Sequence, residues 1–298
     1  MLYLNPKSRK IVEAKDEFLI KMRGFVLKQV EKQNEGSTEL KKKIEDNLKI
    51  ILIGLPDELI CIDKKLKAEK SYNPELVKKI FRYDLFTNKT KRYSAYHLAE
   101  ALDINTCTYC NRNYTTTVFT DKKEGKTTRP QFDHYFSKKD YPLLALSFFN
   151  LIPCCSICNL IKGRKQMRLC KHLHPYIDNS EKEFKFSYRL STENKAGLKM
   201  KIKSAKYSKA ENTIEDLKLE VVYNSNISEL DDLIKLRRYF SDRYLSILGD
   251  NLLKGIDISK EEMYRIVFGA EYKPEKFLQR PFSKFKKDIL TELGIIED

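Results

Sequence analysis

The sequence predicts an α+β chain in which a short β-rich centre carrying paired cysteines is set between helical lobes. Three observations lead there. Apolar residues recur at helical spacing over the first hundred residues; threonines, aromatics and turn formers crowd in from Thr106; and two strictly alternating runs follow residue 183 before helical spacing returns. With 298 residues, 41% of them hydrophobic, there is ample material for a buried core, and disorder as the default is excluded. Three segments are expected: a helical N-terminal lobe (1–103), a central core (104–180), and a hairpin with a helical C-terminal lobe (181–298).

Taken in order, Ile11, Phe18, Met22, Phe25, Val26 and Val30 form the stripe of one amphipathic helix. Further helices are predicted at Thr38 to Ile53, Pro74 to Tyr83 and Ser94 to Leu102, with Pro74 suited to a first turn and Ser94 to an N-cap. In the centre, TCTYCNRNYTTTVF and QFDHYF read as β segments flanking the basic loop DKKEGKTTRP. An apolar stretch with Asn150 and Pro153 follows, then a short helix opening near Ser156. Phe184 to Leu190 and Leu198 to Ile202 alternate on either side of STENKAG and should pair as a hairpin. From about Asn212 the pattern is helical, most clearly over Glu229 to Leu248; FKKDILTELGI reads as a closing helix.

Lys and Arg number 57 against 42 Asp and Glu, giving a net charge of +15, which points to a polyanionic partner. The longest apolar stretches, Ile50 to Leu55 and Leu143 to Phe149, fall far short of the ~20 residues of a spanning helix, so no membrane partner is expected. The N-terminus becomes charged too early for a secretory signal, which places the chain in the cytoplasm, where thiols stay reduced. Its seven cysteines therefore read as metal ligands rather than disulfides.

Cys107/Cys110 and Cys155/Cys158 are two C-x-x-C pairs, each able to turn two thiolates toward one ion. Zn²⁺ suits four thiolates, and a closed four-sulfur site is structural. Cys154 adjoins Cys155 and could take its place, but only Cys155 has a partner at the right spacing.

Between and beyond the pairs lie Asp133-His134, Asn150-Leu151, Cys158-Asn159 and Lys162. In that order they resemble the HNH endonuclease family, and the match covers roughly residues 106–176. The resemblance implies a ββα-metal core with a zinc knuckle, cutting phosphodiester bonds with one divalent ion. On this reading Asp133 and Asn159 hold the ion, and Mg²⁺ or Mn²⁺ fits such oxygen donors. His134, with an ordinary pKa of about 6.5, can serve as the base that deprotonates water. Adjacent strand residues point to opposite faces, so Asp133 and His134 need a bulge or strand end to serve one centre. Asn150 matches the family's middle asparagine and is assigned to orienting the His134 loop. Lys162, Arg164 and Lys165 are candidate phosphate contacts, or else a solvated helix end. His174, in a Leu173 to Tyr176 stretch similar to one in HNH proteins of bacterial defence, is a candidate neighbour of the active metal; a turn fixed by Pro175 is the alternative, and Cys170 and His172 nearby could also be ligands.

The flanks look like those of HNH nucleases from bacterial anti-phage systems, such as the Septu nuclease subunit and related retron modules. That resemblance implies an ATPase partner; the chain itself has no phosphate-binding G-x-x-x-x-G-K-[ST], so any nucleotide sensing would come from another chain. The expected function is metal-dependent cleavage of DNA. An RNase acting on tRNA or another structured RNA, and a zinc-stabilised nucleic-acid-binding protein without catalysis, are the alternatives.

Overall fold

A computed structural model describes residues 1–34, 36–87, 93–119, 126–193, 195, 197–239 and 259–297. They form two compact units, one made of residues 3–104 and 115–178, the other of 1–2, 105–114 and 179–298. The N-terminal helices thus share a unit with most of the central segment. No helix among the described residues is long and apolar enough to cross a membrane.

In the first unit, α1 (Arg9–Glu31) buries Ile11, Phe18, Met22, Val26 and Val30 along one face. Phe18 is fully buried against the rings of Phe86 and Phe148, at 6.0 and 5.6 Å between centroids. Burying one such side chain contributes roughly 1.5–3 kcal/mol. The helix expected over residues 38–53 is divided into α2 (Thr38–Asp46) and α3 (Leu48–Ile53). Asn47 divides it, because its amide donates to the Lys43 carbonyl (2.8 Å) and so competes with the helical ladder. The sequence reading missed α4 (Pro56–Lys67), where Pro56 sits in the first turn and the Glu58 carboxylate accepts from the Leu55 N–H (2.7 Å). Asn73 caps α5 (Pro74–Ile80), which stops short of Tyr83; a separate turn, α6 (Tyr83–Thr87), begins there. α7 (Ala95–Leu102) starts after Ser94, as expected.

β1 (Val118–Phe119) and β2 (Lys126–Thr128) pair antiparallel. The strand that positions the site is β3 (Gln131–His134), and its partner is β4 (Leu151–Cys154), which comes from the apolar stretch around Asn150 and Pro153. Asp133 lies opposite Ile152, and His134 opposite Leu151. Pro153 is tolerated because the sheet has two strands only, so its missing N–H need not serve a second neighbour. α8 (Ser156–Lys162) follows directly.

In the second unit, α9 (Ser180–Glu183) leads into the expected hairpin of β5 (Phe184–Leu190) and β6 (Leu198–Ser204), with Tyr188 opposite Met200. Helices α10 (Lys209–Asp216), α11 (Leu219–Asn224), α12 (Ile227–Tyr239), α13 (Lys260–Phe268) and α14 (Ser283–Glu292) follow. Of the helix expected over Glu229 to Leu248, residues 240–248 lie outside the described residues, as do residues 121–125 of the basic loop. Phe186, Tyr223 and Phe285 pack together between the hairpin and its helices, with Phe186 4.5 Å from Tyr223 and 5.6 Å from Phe285.

Candidate functional site

Two strands and a helix, β3, β4 and α8, bring Asp133, His134, Asn159 and Lys162 onto the wall of one cavity of about 880 Å³. Gln131 and Asp133 alternate onto one face of β3. His134 is the last residue of that strand, so the pleat no longer forces its side chain away from that of Asp133. Gln131 accepts a hydrogen bond from the Asn159 amide (2.7 Å), tying α8 to β3.

The His134 imidazole is buried, and its Nε2 lies 3.0 Å from the Ala145 carbonyl oxygen. A carbonyl only accepts, so Nε2 carries the proton of the neutral ring and Nδ1 is left as the basic nitrogen. Burial lowers the imidazole pKa to about 4, with the Lys138 and Lys162 charges acting in the same direction and the Ala145 carbonyl opposing them. The ring is therefore neutral near pH 7. From α6, Tyr83 meets His134 edge to face, 4.4 Å between centroids, and donates its hydroxyl to the Phe132 carbonyl (3.1 Å). Nothing local in the sequence marks Tyr83 as part of the site.

Asn150 is fully buried and holds the segment after His134 by its backbone. Its amide donates to the carbonyls of Phe136 (3.1 Å) and Leu144 (2.8 Å), and its side-chain oxygen accepts from the Phe136 N–H (2.7 Å).

Lys162 is placed otherwise than as an outward phosphate contact. It is 2% exposed, its Nζ lies 3.1 and 3.0 Å from the two carboxylate oxygens of Asp133, and it donates to the His134 carbonyl at 2.8 Å. The cations that line the cavity without such burial are Arg129, Lys138, Lys139 and Arg164. Lys165 is outside the lining. The signal that relates Lys162 to Asn159 is their three-residue spacing, which puts both on one face of α8.

His174 is seated in the aromatic core and not in the cavity lining. Its ring lies 4.2 Å from that of Tyr135, and its Nδ1 accepts from the Tyr176 N–H (3.2 Å). His172 is likewise used locally, its Nδ1 accepting from the Arg168 N–H (3.0 Å).

Cys107, Cys110, Cys155 and Cys158 are all buried, with their sulfurs within 4.8 Å of one another. Tetrahedral Zn–S bonds of about 2.3 Å put sulfurs roughly 3.8 Å apart, so the group fits a zinc ion. N–H groups of Arg112 and Cys158 donate to the Cys110 and Cys155 sulfurs, both at 3.4 Å, as suits thiolates. Asn111, at φ 49°, and Tyr223 steady the first pair: the Asn111 amide donates to the Thr106 hydroxyl and the Phe277 carbonyl, and the Tyr223 hydroxyl donates to the Cys110 carbonyl. Cys154 is not in the group; buried on β4, its thiol pKa is pushed up by burial and by the Asp133 charge, which keeps it protonated. Comparison with protein-family models, with curated proteins and with solved structures gives no match.

Proposed function

We propose that the chain is a metal-dependent endonuclease of the HNH type, hydrolysing phosphodiester bonds with DNA as its substrate. The observation that carries this is His134: a neutral imidazole with its basic nitrogen defined, beside a carboxylate, on the wall of a cation-lined cavity. Nδ1 takes the proton of the attacking water, and the Ala145 carbonyl at Nε2 stabilises the imidazolium that forms. Asn150 keeps the loop, and with it the ring, in place. Lys138, Lys139 and Arg164 draw the phosphate backbone into the cavity.

Asp133 and Asn159 offer a carboxylate and an amide oxygen, a hard donor set that fits Mg²⁺ or Mn²⁺. When bound, the ion would neutralise charge on the phosphoryl and leaving oxygens. Action within an anti-phage system beside an ATPase partner belongs to the same proposal and is supported by the resemblance of the flanks.

The test is cleavage of plasmid DNA and total RNA with Mn²⁺ or Mg²⁺ by protein of measured zinc content. Wild type should cut DNA, and His134→Ala should lose cutting by about 10²-fold or more while remaining folded and keeping its zinc. Undiminished cutting by His134→Ala would sink the assignment. Cutting of RNA alone would move the substrate to the other nucleic acid.

A further inference from the structure

Lys162 is the most constrained charge in the cavity wall. An ammonium has three donors, and three acceptors meet it: both oxygens of Asp133, at 3.1 and 3.0 Å, and the His134 carbonyl at 2.8 Å. With the side chain 2% exposed, the charge is not available to a phosphate at the cavity mouth. Its stem rises from α8 one turn beyond Asn159, so it reaches the same carboxylate that the proposed metal would use.

We propose that Lys162 is a positioning residue that competes with the divalent ion for Asp133, and so sets how tightly the site holds its metal. This rests on the nuclease reading of the site. An ion arriving at either Asp133 oxygen meets a positive charge already about 3 Å away. A neighbouring cation within 4–6 Å changes a carboxylate's affinity for one proton by roughly one to three pKa units, and a doubly charged ion is repelled more strongly. The ammonium also bridges the Asp133 side chain to the His134 backbone, so the metal-binding and proton-taking groups are held by one charge. Metal binding then displaces or shares Lys162 contacts, and the affinity is lower than the oxygen donors alone would give.

The probe is Mn²⁺ alone, followed through the paramagnetic resonance of the free ion, on full-length, zinc-loaded protein. The cysteine group does not compete, since thiolates select zinc over manganese. Lys162→Gln keeps a donor for Asp133 but removes the charge, and should tighten Mn²⁺ binding by about tenfold or more. Lys162→Met should tighten it as well; should that variant fail to fold, Lys162→Gln still decides. Asp133→Asn should lose the site. A purely structural lysine would weaken binding when removed, and only relief of competition tightens it. Unchanged or weaker binding by folded Lys162→Gln, with binding lost in Asp133→Asn, would overturn the role of Lys162 and leave the nuclease reading standing. No Mn²⁺ binding by any folded variant would overturn both.

Discussion

Lys162 and Lys284 are both sealed from solvent, at 2% and 1% exposure, and both face carboxylates, yet their surroundings differ. Lys284 on α14 lies 3.1 Å from Glu181 and 3.2 Å from Asp288, as ion pairs rather than aligned hydrogen bonds, with the Phe184 ring 5.0 Å away. Asp288 also accepts from the Phe186 N–H (2.9 Å), so the cluster stitches α14 to β5. Lys162 instead belongs to a cavity wall shared with a histidine whose basic nitrogen has a defined tautomer. Packing closes over the Lys284 pairs, whereas the Lys162 pair borders the open space of a cavity.

The sharpest way to break this comparison is Lys284→Met. Removing one partner of a buried pair strands the other, so stability should fall by about 3–5 kcal/mol in urea unfolding while the folded fraction keeps its Mn²⁺ affinity. A loss below about 1 kcal/mol would mean that Lys284 fastens nothing.

Asp288 gives a second, smaller effect. Burial raises its pKa, against the opposing pull of Lys284. A raised carboxyl contributes stability that is fully present below its unfolded value of about 3.9 and is lost as pH rises through the folded value. Asp288→Asn should therefore flatten that fall as pH rises above about 4, read as unfolding midpoints across the range. Parallel profiles for the two proteins would contradict the assignment.

The smallest effect on stability is expected at the open end of the comparison. Arg164 is exposed, so Arg164→Ala should change stability by under about 0.5 kcal/mol. It should still lower the salt dependence of nucleic-acid binding by about one counterion, measured as the slope of affinity against salt. An unchanged slope would remove Arg164 from the backbone contacts.

Much of this architecture was legible from local pattern. The cysteine pairs were readable because one ion demands close sulfurs, and α1, α7 and the 184–204 hairpin because burial leaves a period in the sequence. β4 was not, since four buried residues containing Pro153 carry no alternation. α4 was hidden because its start signal, Pro56 with Glu58, follows an apolar run that reads as one longer helix. In the site, Asp133 and His134 were recognisable by type, but Tyr83 and the true partners of Lys162 were not. Those contacts join residues 51 and 29 positions apart, and only the fold brings them together.

The grip of Asn150 carries a consequence for how the chain can change. Everything its side chain holds is main chain: the Phe136 N–H and carbonyl, and the Leu144 carbonyl. Side chains between those points, Lys138 and Lys139 among them, take no part in that grip. Exchanging either would leave that main-chain frame intact, so the outer wall of the cavity can vary more freely than the frame behind it, Lys139 at less cost than Lys138, which also sits over the Tyr83 ring that meets His134.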